Sequence, residues 1–176
     1  MTPAHSTSKI PARIGLISDT HGLLRDEALL ALRGSELIVH AGDVGEPGIL
    51  EKLRELAPVV AVRGNVDTGA WASRLPETTV AEALSASIYV LHDVSTLDLD
   101  PTAAGFQIVI SGHSHKPGRS ERKGALYINP GSAGPRRFHL PITVARLNLG
   151  VHPWAVEFVD LEKEGTVGGQ QGSAWR

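Results

Sequence analysis

Three short apolar runs near the start of the chain constrain its fold more than any other feature. They are Arg13–Ser18, Leu37–Ala41 and Val59–Val62, and each can form a short buried strand. The segment Leu23–Leu32 has the apolar spacing of an amphipathic helix, and a second helix is predicted over Ile49–Leu56. Strand–helix units that follow one another predict a parallel sheet with helices on its face.

The second half of the chain has a different pattern, with short segments that alternate between apolar and polar residues. An interruption at Pro101 makes Asp98–Gly105 a poor helix candidate. The last two alternating segments predict an antiparallel hairpin. The predicted strands are Thr79–Ala81, Ser87–Leu91, Gln107–Ile110, Arg119–Arg122, Ala125–Ile128, Ile142–Leu149 and Trp154–Val159.

Length and composition exclude several classes of function. The 176 residues suit one domain, and the lack of cysteine leaves His, Asp, Glu and Asn as plausible metal ligands. A formal net charge of -2 without a long basic run gives no clear sign of a nucleic-acid-binding surface. No apolar stretch approaches the roughly 20 residues of a membrane span. We therefore expect no membrane association and a cytoplasmic location.

Polar side chains that can bind metal follow the first three predicted strands. Asp19 and His21 follow the first strand, Asp43 the second and Asn65 the third. Ligands of open α/β sheets bind at the carboxyl ends of strands, so this repeated position points to a binding site. Taken alone, Asp19 could be a helix N-cap and His21 a bystander. His40 lies inside a strand and is expected in the core or behind a ligand.

The motif Ser111–Pro117, with the sequence SGHSHKP, follows another apolar strand. In an extended segment, residues two apart point to the same side, so His113 and His115 can face one pocket while Ser114 faces away. Imidazole is the commonest metal-ligating side chain, and His92 at a further strand end adds one more. By itself, the His-x-His pair could also be two polar loop residues.

Taken together, the strand-end residues resemble those of the calcineurin-like metallophosphoesterase superfamily. The motifs are Asp-x-His, Gly-Asp, Gly-Asn-x-Asp, a lone His and Gly-His-x-His, in this order. With the later Ile-Asn-Pro-Gly-Ser, they are similar to small single-domain phosphodiesterases related to the Vps29 retromer subunit, from about Ile14 to Val159. The resemblance implies an α/β fold, a four-layer α/β/β/α sandwich of two mixed β-sheets flanked by helices. The domain is predicted over residues 10–161, with a flexible tail at 1–9 and a disordered tail at 162–176.

The resemblance also implies a site for two divalent metal ions. Mn²⁺ is the ion that it favours, while Ni²⁺, Fe²⁺ and Zn²⁺ also suit mixed nitrogen and oxygen ligands. A metal-bridging hydroxide would attack the phosphate ester, so no side-chain nucleophile is expected. Two such ions would outweigh the carboxylates and the hydroxide, so the site would attract an anion. The implied ligands are Asp19, His21 and His115 for one ion, Asn65, His92 and His113 for the other, and Asp43 as the bridge.

Two positions depart from the pattern of the family. Val66 stands where many relatives have a histidine that protonates the leaving group, so diesters with good leaving groups are the expected substrates. Asp93 follows His92 where relatives often have glycine. Asp67 is predicted either to orient a liganding imidazole or to cap the turn after Asn65.

Two classes of function remain open. One is a metal-dependent phosphodiesterase that acts on a small phosphodiester, and the other is a Vps29-like protein-interaction scaffold with a vestigial metal site. The complete ligand set favours the enzyme, and a homo-oligomer is compatible with either. Arg63, Arg136 and Arg137 are predicted on the solvated surface, with phosphate contact as the alternative.

Overall fold

The computed structural model describes residues 11–84 and 86–164, and the strands in this part of the chain form two five-stranded sheets. Two 3₁₀ turns, Ala72–Arg74 and Val94–Thr96, accompany the longer elements. In chain order, the strands and helices are β1 Arg13–Ile17, α1 Asp26–Ala31, β2 Leu37–His40, α2 Pro47–Arg54, β3 Val59–Ala61, β4 Thr78–Ala83, β5 Ala86–Leu91, β6 Ile108–Ile110, β7 Gly118–Arg122, β8 Ala125–Asn129, β9 Thr143–Asn148, β10 Ala155–Asp160 and α3 Leu161–Glu164.

Both sheets are mixed, as predicted. The first has the order β10-β9-β1-β2-β3, in which β1, β2 and β3 are parallel and β9 is antiparallel to β1. The second has the order β4-β5-β6-β8-β7, with β5, β6 and β8 parallel and the edge strands β4 and β7 antiparallel to their neighbours. The carboxyl ends of the parallel strands carry the loops of interest.

Two hydrophobic clusters hold the layers together. The first lies between the sheets and contains Leu16 and Ile110, while the second, with Leu32 and Leu53, packs α1 and α2 on the first sheet. On the outer side of the second sheet, the connection from β5 to β6 contains a 3₁₀ turn and packs the Phe106 ring 5.0 Å from a tyrosine ring of β5. The α/β sandwich of two mixed sheets is therefore confirmed, but among the described residues this side of the second sheet carries a 3₁₀ turn where the four-layer prediction has helices.

Helix α1 is shorter than the sequence predicts. It begins at Asp26 instead of Leu23, because Arg25, the residue before it, has an extended backbone with φ -79° and ψ 145°. Of the predicted tails, residues 1–9 and 165–176 lie outside the described residues, and residues 162–164 belong to α3. Within the described ranges, no helix has both the length and the apolarity to cross a membrane.

Candidate metal centre

The loops after β1 and β2 are joined by backbone hydrogen bonds. The Asp19 N–H donates to the Gly42 carbonyl at 3.0 Å, and the His21 N–H donates to the Asp43 carbonyl at 2.9 Å. In the second sheet, the loops after β5 and β6 are joined in the same way, because the Gly112 N–H donates to the His92 carbonyl at 2.9 Å. Each loop thus presents its polar side chains at the same end of the sandwich.

Most of the predicted ligands have a left-handed backbone conformation. For residues other than glycine, this conformation costs roughly 1 to 2 kcal/mol. Such strain is characteristic of functional sites, where the surrounding structure maintains it. The residues and their φ values are Asp19 54°, His21 47°, Asp43 54°, His113 66° and His115 59°.

One cluster of possible ligands is formed by Asp19, His21 and His115, whose ligand atoms all lie within 4.8 Å of one another. His115 Nε2 lies 3.1 Å from Asp19 Oδ1 and 3.3 Å from His21 Nε2. Asp19 Oδ2 accepts hydrogen bonds from the Ser18 hydroxyl and the His113 N–H, whereas the buried Oδ1 makes none. A buried oxygen without a hydrogen bond, faced by two imidazoles, fits a bound cation.

A second, overlapping cluster joins Asp19 to Asp43 and His92. His92 Nδ1 lies 2.7 Å from the Ala41 carbonyl, to which it must donate, so Nε2 carries the lone pair. This Nε2 is buried without a hydrogen bond and lies 3.3 Å from Asp43 Oδ2. The same carboxylate oxygen is 3.7 Å from His21 Nε2, so Asp43 also approaches the first cluster.

The carboxylates and imidazoles of the two clusters perturb one another's pKa values. Burial raises the pKa of Asp19 and lowers that of His115. Burial also acts to raise the pKa of Asp43, but the His92 imidazole 3.3 Å away and the hydrogen bond from the Val66 N–H hold it at about 2. Although burial opposes a charge on His92, the Asp43 carboxylate and the Ala41 carbonyl raise its pKa. The centre therefore keeps Asp43 ionised and available to a cation.

The other two predicted ligands lie at the margin of these clusters. His113 has a side chain that is 45% exposed, with its ring centroid 5.2 Å from that of His92 and its Nε2 3.7 Å from Asp93 Oδ2. Asn65 is exposed and lines a cleft of about 540 Å³ together with His92. The structure thus places His113 and Asn65 beside the other five predicted ligands, which it brings together. These five are Asp19, His21, Asp43, His92 and His115.

Asp67 fastens the loops that follow β2 and β3. Its buried carboxylate accepts hydrogen bonds from the N–H groups of Val44 at 3.1 Å, Gly45 at 2.8 Å and Gly64 at 2.8 Å. Asp67 thereby caps the turn that contains Asn65, which is one of the two roles that the sequence predicts for it. The carboxylate positions the loop of Asp43 through the backbone.

His40 is buried behind the centre and uses both ring nitrogens within the protein. The Gly42 N–H donates to Nδ1 at 3.2 Å, and Nε2 lies 2.9 Å from the Thr20 hydroxyl. Burial lowers the pKa of His40 to about 4. The side chain is thus a neutral core residue that supports the loops, consistent with its position inside β2.

Several supporting residues were not singled out by the sequence. The Ser18 hydroxyl donates to Asp19 Oδ2 at 2.6 Å, and Ser132 Oγ donates to the Asp19 carbonyl at 3.0 Å. Asn129 Nδ2 donates to the Gly112 carbonyl at 2.7 Å and so fixes the loop of the two histidines. Asn129 and Ser132 belong to the Asn-Pro-Gly-Ser turn that the sequence shows. Their contacts with the ligand loops could not be predicted, because the turn approaches these loops only in the folded chain.

Two mixed sheets with acidic and imidazole side chains at their carboxyl ends define an α/β sandwich with a candidate metal centre. Residues 13–150 match the model of the Calcineurin-like phosphoesterase superfamily domain, and the chain belongs to this family. It is 34% identical over 148 residues to a probable metallophosphoesterase of Methanothermobacter thermautotrophicus, covering 77% of this chain and 86% of the relative.

Solved structures with the same fold include enzymes and other proteins. One is described as a novel archaeal phosphodiesterase, with a TM-score of 0.71, 21% identity, and coverage of 84% of this chain and 99% of that one. Another is Vps29 of Entamoeba histolytica in complex with Zn²⁺, with a TM-score of 0.57, 23% identity, and coverage of 85% and 99%. At these identities the likeness shows the fold.

Proposed function

We propose that this chain is a phosphodiesterase that uses two divalent metal ions, with Mn²⁺ as the first choice. The observation that carries the proposal is the pair of overlapping clusters, with Asp43 Oδ2 between His21 Nε2 and His92 Nε2 at 3.7 Å and 3.3 Å. Asp19 Oδ1 and His92 Nε2 are buried and make no hydrogen bonds. Each of these two atoms is therefore available to bind one of the two ions.

The ions, when bound, would polarise the phosphoryl group and activate water for attack. The protein supplies their positions. The Ala41 carbonyl holds His92 in the tautomer whose Nε2 faces the centre, and the Val66 N–H occupies Asp43 Oδ1, which leaves Oδ2 for the ions. We assign one ion to Asp19, His21 and His115, the other to Asn65, His92 and His113, and both to Asp43.

The substrate that we propose is a small diester with a good leaving group. The Val66 side chain is 44% exposed beside Asn65, where it can donate no proton to a leaving alkoxide. Loss of a general acid typically costs about a hundredfold or more in rate. The chain has the same fold as a protein described as an archaeal phosphodiesterase, which is consistent with this proposal.

The test is turnover of bis(p-nitrophenyl) phosphate by protein that has been stripped with EDTA and then supplied with Mn²⁺. We expect turnover with Mn²⁺, almost none in EDTA, and loss of activity in Asp43→Ala and His113→Ala. The matched control is Glu51→Ala, which removes an exposed carboxylate of α2. Equal rates on p-nitrophenyl phosphate would contradict the argument from Val66.

Metal content must be measured together with activity. The alternative, a protein-interaction scaffold, has support in the likeness to Vps29, and that Vps29 structure contains Zn²⁺. Ion binding alone therefore does not separate the two functions. Protein that binds two ions per chain but hydrolyses neither diesters nor monoesters would favour the scaffold.

A further inference from the structure

A basic groove of about 300 Å³ is lined in part by Ser111 and Ser114, from the loop that carries His113 and His115. One of its lining residues is Ser114, which stands between His113 and His115 in the chain. Since neighbouring Cα atoms are about 3.8 Å apart, the groove begins next to two proposed ligands. Its cationic residues are Lys116, Arg119 and Arg122.

The groove offers positive charge and hydrogen-bond donors, and the acid that pairs with its Arg119 lies outside the lining. Arg122 lies over the Tyr127 ring, 4.9 Å from its centroid, which orients the guanidinium, and Lys116 is exposed. Ser120 adds a hydroxyl group. Among the described residues that line the groove, none is acidic, and the Glu121 that lies 3.8 Å from Arg119 is not part of the lining.

The cleft on the other side of the 3₁₀ turn Val94–Thr96 has the opposite charge. Glu77, Asp93 and Asp98 line it, and its Arg63 is paired with Glu77 at 2.6 Å. Val94 lines the groove, whereas Thr96 lines the cleft. An anionic part of a substrate would be repelled on the side of the cleft and attracted on the side of the groove.

We propose that the groove binds a second anionic group of the substrate, a phosphate or a carboxylate, while the scissile diester lies at the metal centre. The inference rests on the proposed phosphodiesterase function and specifies its substrate class as diesters that carry a further negative charge. Lys116 and Arg122 recognise this group through charge-assisted hydrogen bonds. They do not contact the scissile phosphate and act on substrate binding.

The test compares two p-nitrophenyl phosphodiesters that share the p-nitrophenolate leaving group. In one, the second alcohol is γ-hydroxybutyrate, which carries a free carboxylate, and in the other it is the uncharged methyl ester of γ-hydroxybutyrate. In Mn²⁺, wild-type protein should prefer the carboxylate by about tenfold in kcat/KM, chiefly through KM. Lys116→Met and Arg122→Met should reduce this preference, because kcat/KM should fall more for the carboxylate than for the methyl ester. Arg122→Lys should restore part of it.

The control is Lys52→Met, which removes one exposed positive charge of α2, a residue that does not line the groove. It should keep the full preference. Equal kcat/KM for the two esters in wild-type protein, or a preference that survives in Lys116→Met and Arg122→Met, would overturn the inference alone. Absence of turnover of both esters would overturn the proposed function and the inference with it.

Discussion

The buried carboxylate of Asp19 is expected to lower the stability of the ion-free protein. Its side chain is fully buried, one of its oxygens makes no hydrogen bond, and burial raises its pKa. A carboxylate in such a position is costly unless a cation compensates it. Sites of this kind commonly lower the stability of the protein in the ion-free form.

We therefore expect Asp19→Asn to leave the ion-free protein as stable as wild type, or to stabilise it by about 1 kcal/mol. The amide keeps an acceptor for Ser18 and removes a buried charge. Stabilisation by Mn²⁺ should disappear in the variant, because one ligand of the clusters is lost. Urea denaturation in EDTA and in Mn²⁺ measures both effects. A variant that is strongly destabilised in EDTA and still responds to Mn²⁺ would contradict the assignment.

His40 makes the stability of the ion-free protein depend on pH. Its pKa is lowered by burial from 6.5 to about 4, so the unfolded chain binds a proton before the folded chain does. Stability is therefore lost as the pH falls from about 6.5 towards 4, by up to about 3 kcal/mol. Relative to wild type, His40→Gln should show a shallower decrease over this range in urea titrations with EDTA. His139→Gln, at an exposed position, should keep the wild-type slope.

At the scale of the elements, the loops after β2 and β3 behave as one unit because Asp67 binds both. Removing the carboxylate would leave the N–H groups of Val44, Gly45 and Gly64 without their acceptor. Asp67→Ala should lower the free energy of unfolding by about 3 kcal/mol and weaken Mn²⁺ binding by about tenfold or more. Urea denaturation and calorimetric titration measure the two effects.

Glu51→Ala serves as the control for this change and should remain within about 0.5 kcal/mol of wild type. Asp67→Asn, which keeps one acceptor oxygen, should lie between the alanine variant and wild type. If Asp67→Ala lost stability but bound Mn²⁺ as wild type does, the two loops would not position the ligands.

The elements also show where sequence patterns are sufficient and where they are not. Strand ends were predictable because apolar runs end sharply, so Asp19, Asp43 and His92 could be identified as candidates. The start of α1 was predicted three residues early, because hydrophobic spacing does not reveal the extended backbone at Arg25. The contacts of Asp67 depend on how closely two loops approach, which no local pattern encodes.

At the scale of the whole molecule, the candidate ligands come from both sheets. Asp19 and Asp43 follow β1 and β2, whereas His92 and His115 follow β5 and β6. Bound ions would therefore connect the two sheets across the sandwich. Which strands pair, such as β9 with β1, is decided by long-range contacts, so the order of strands could be anticipated only through the family resemblance.

Mn²⁺ should consequently stabilise the entire domain against unfolding. At a free concentration about 100 times the dissociation constant, the expected gain in the free energy of unfolding is about 2.7 kcal/mol for one site. Thermal unfolding followed by circular dichroism, with Mn²⁺ and with EDTA, measures this gain. An unchanged midpoint at saturating Mn²⁺ would show that the folded chain has no preference for the ion.

The position of β1 between β2 and β9 governs the order of events during synthesis. On one side β1 pairs with β2, and on the other with β9, a strand that lies more than a hundred residues later in the chain. The candidate ligands, from Asp19 to His115, are likewise spread over more than half of the chain. The candidate metal centre is therefore complete only once the loops of both sheets have been synthesised and brought together.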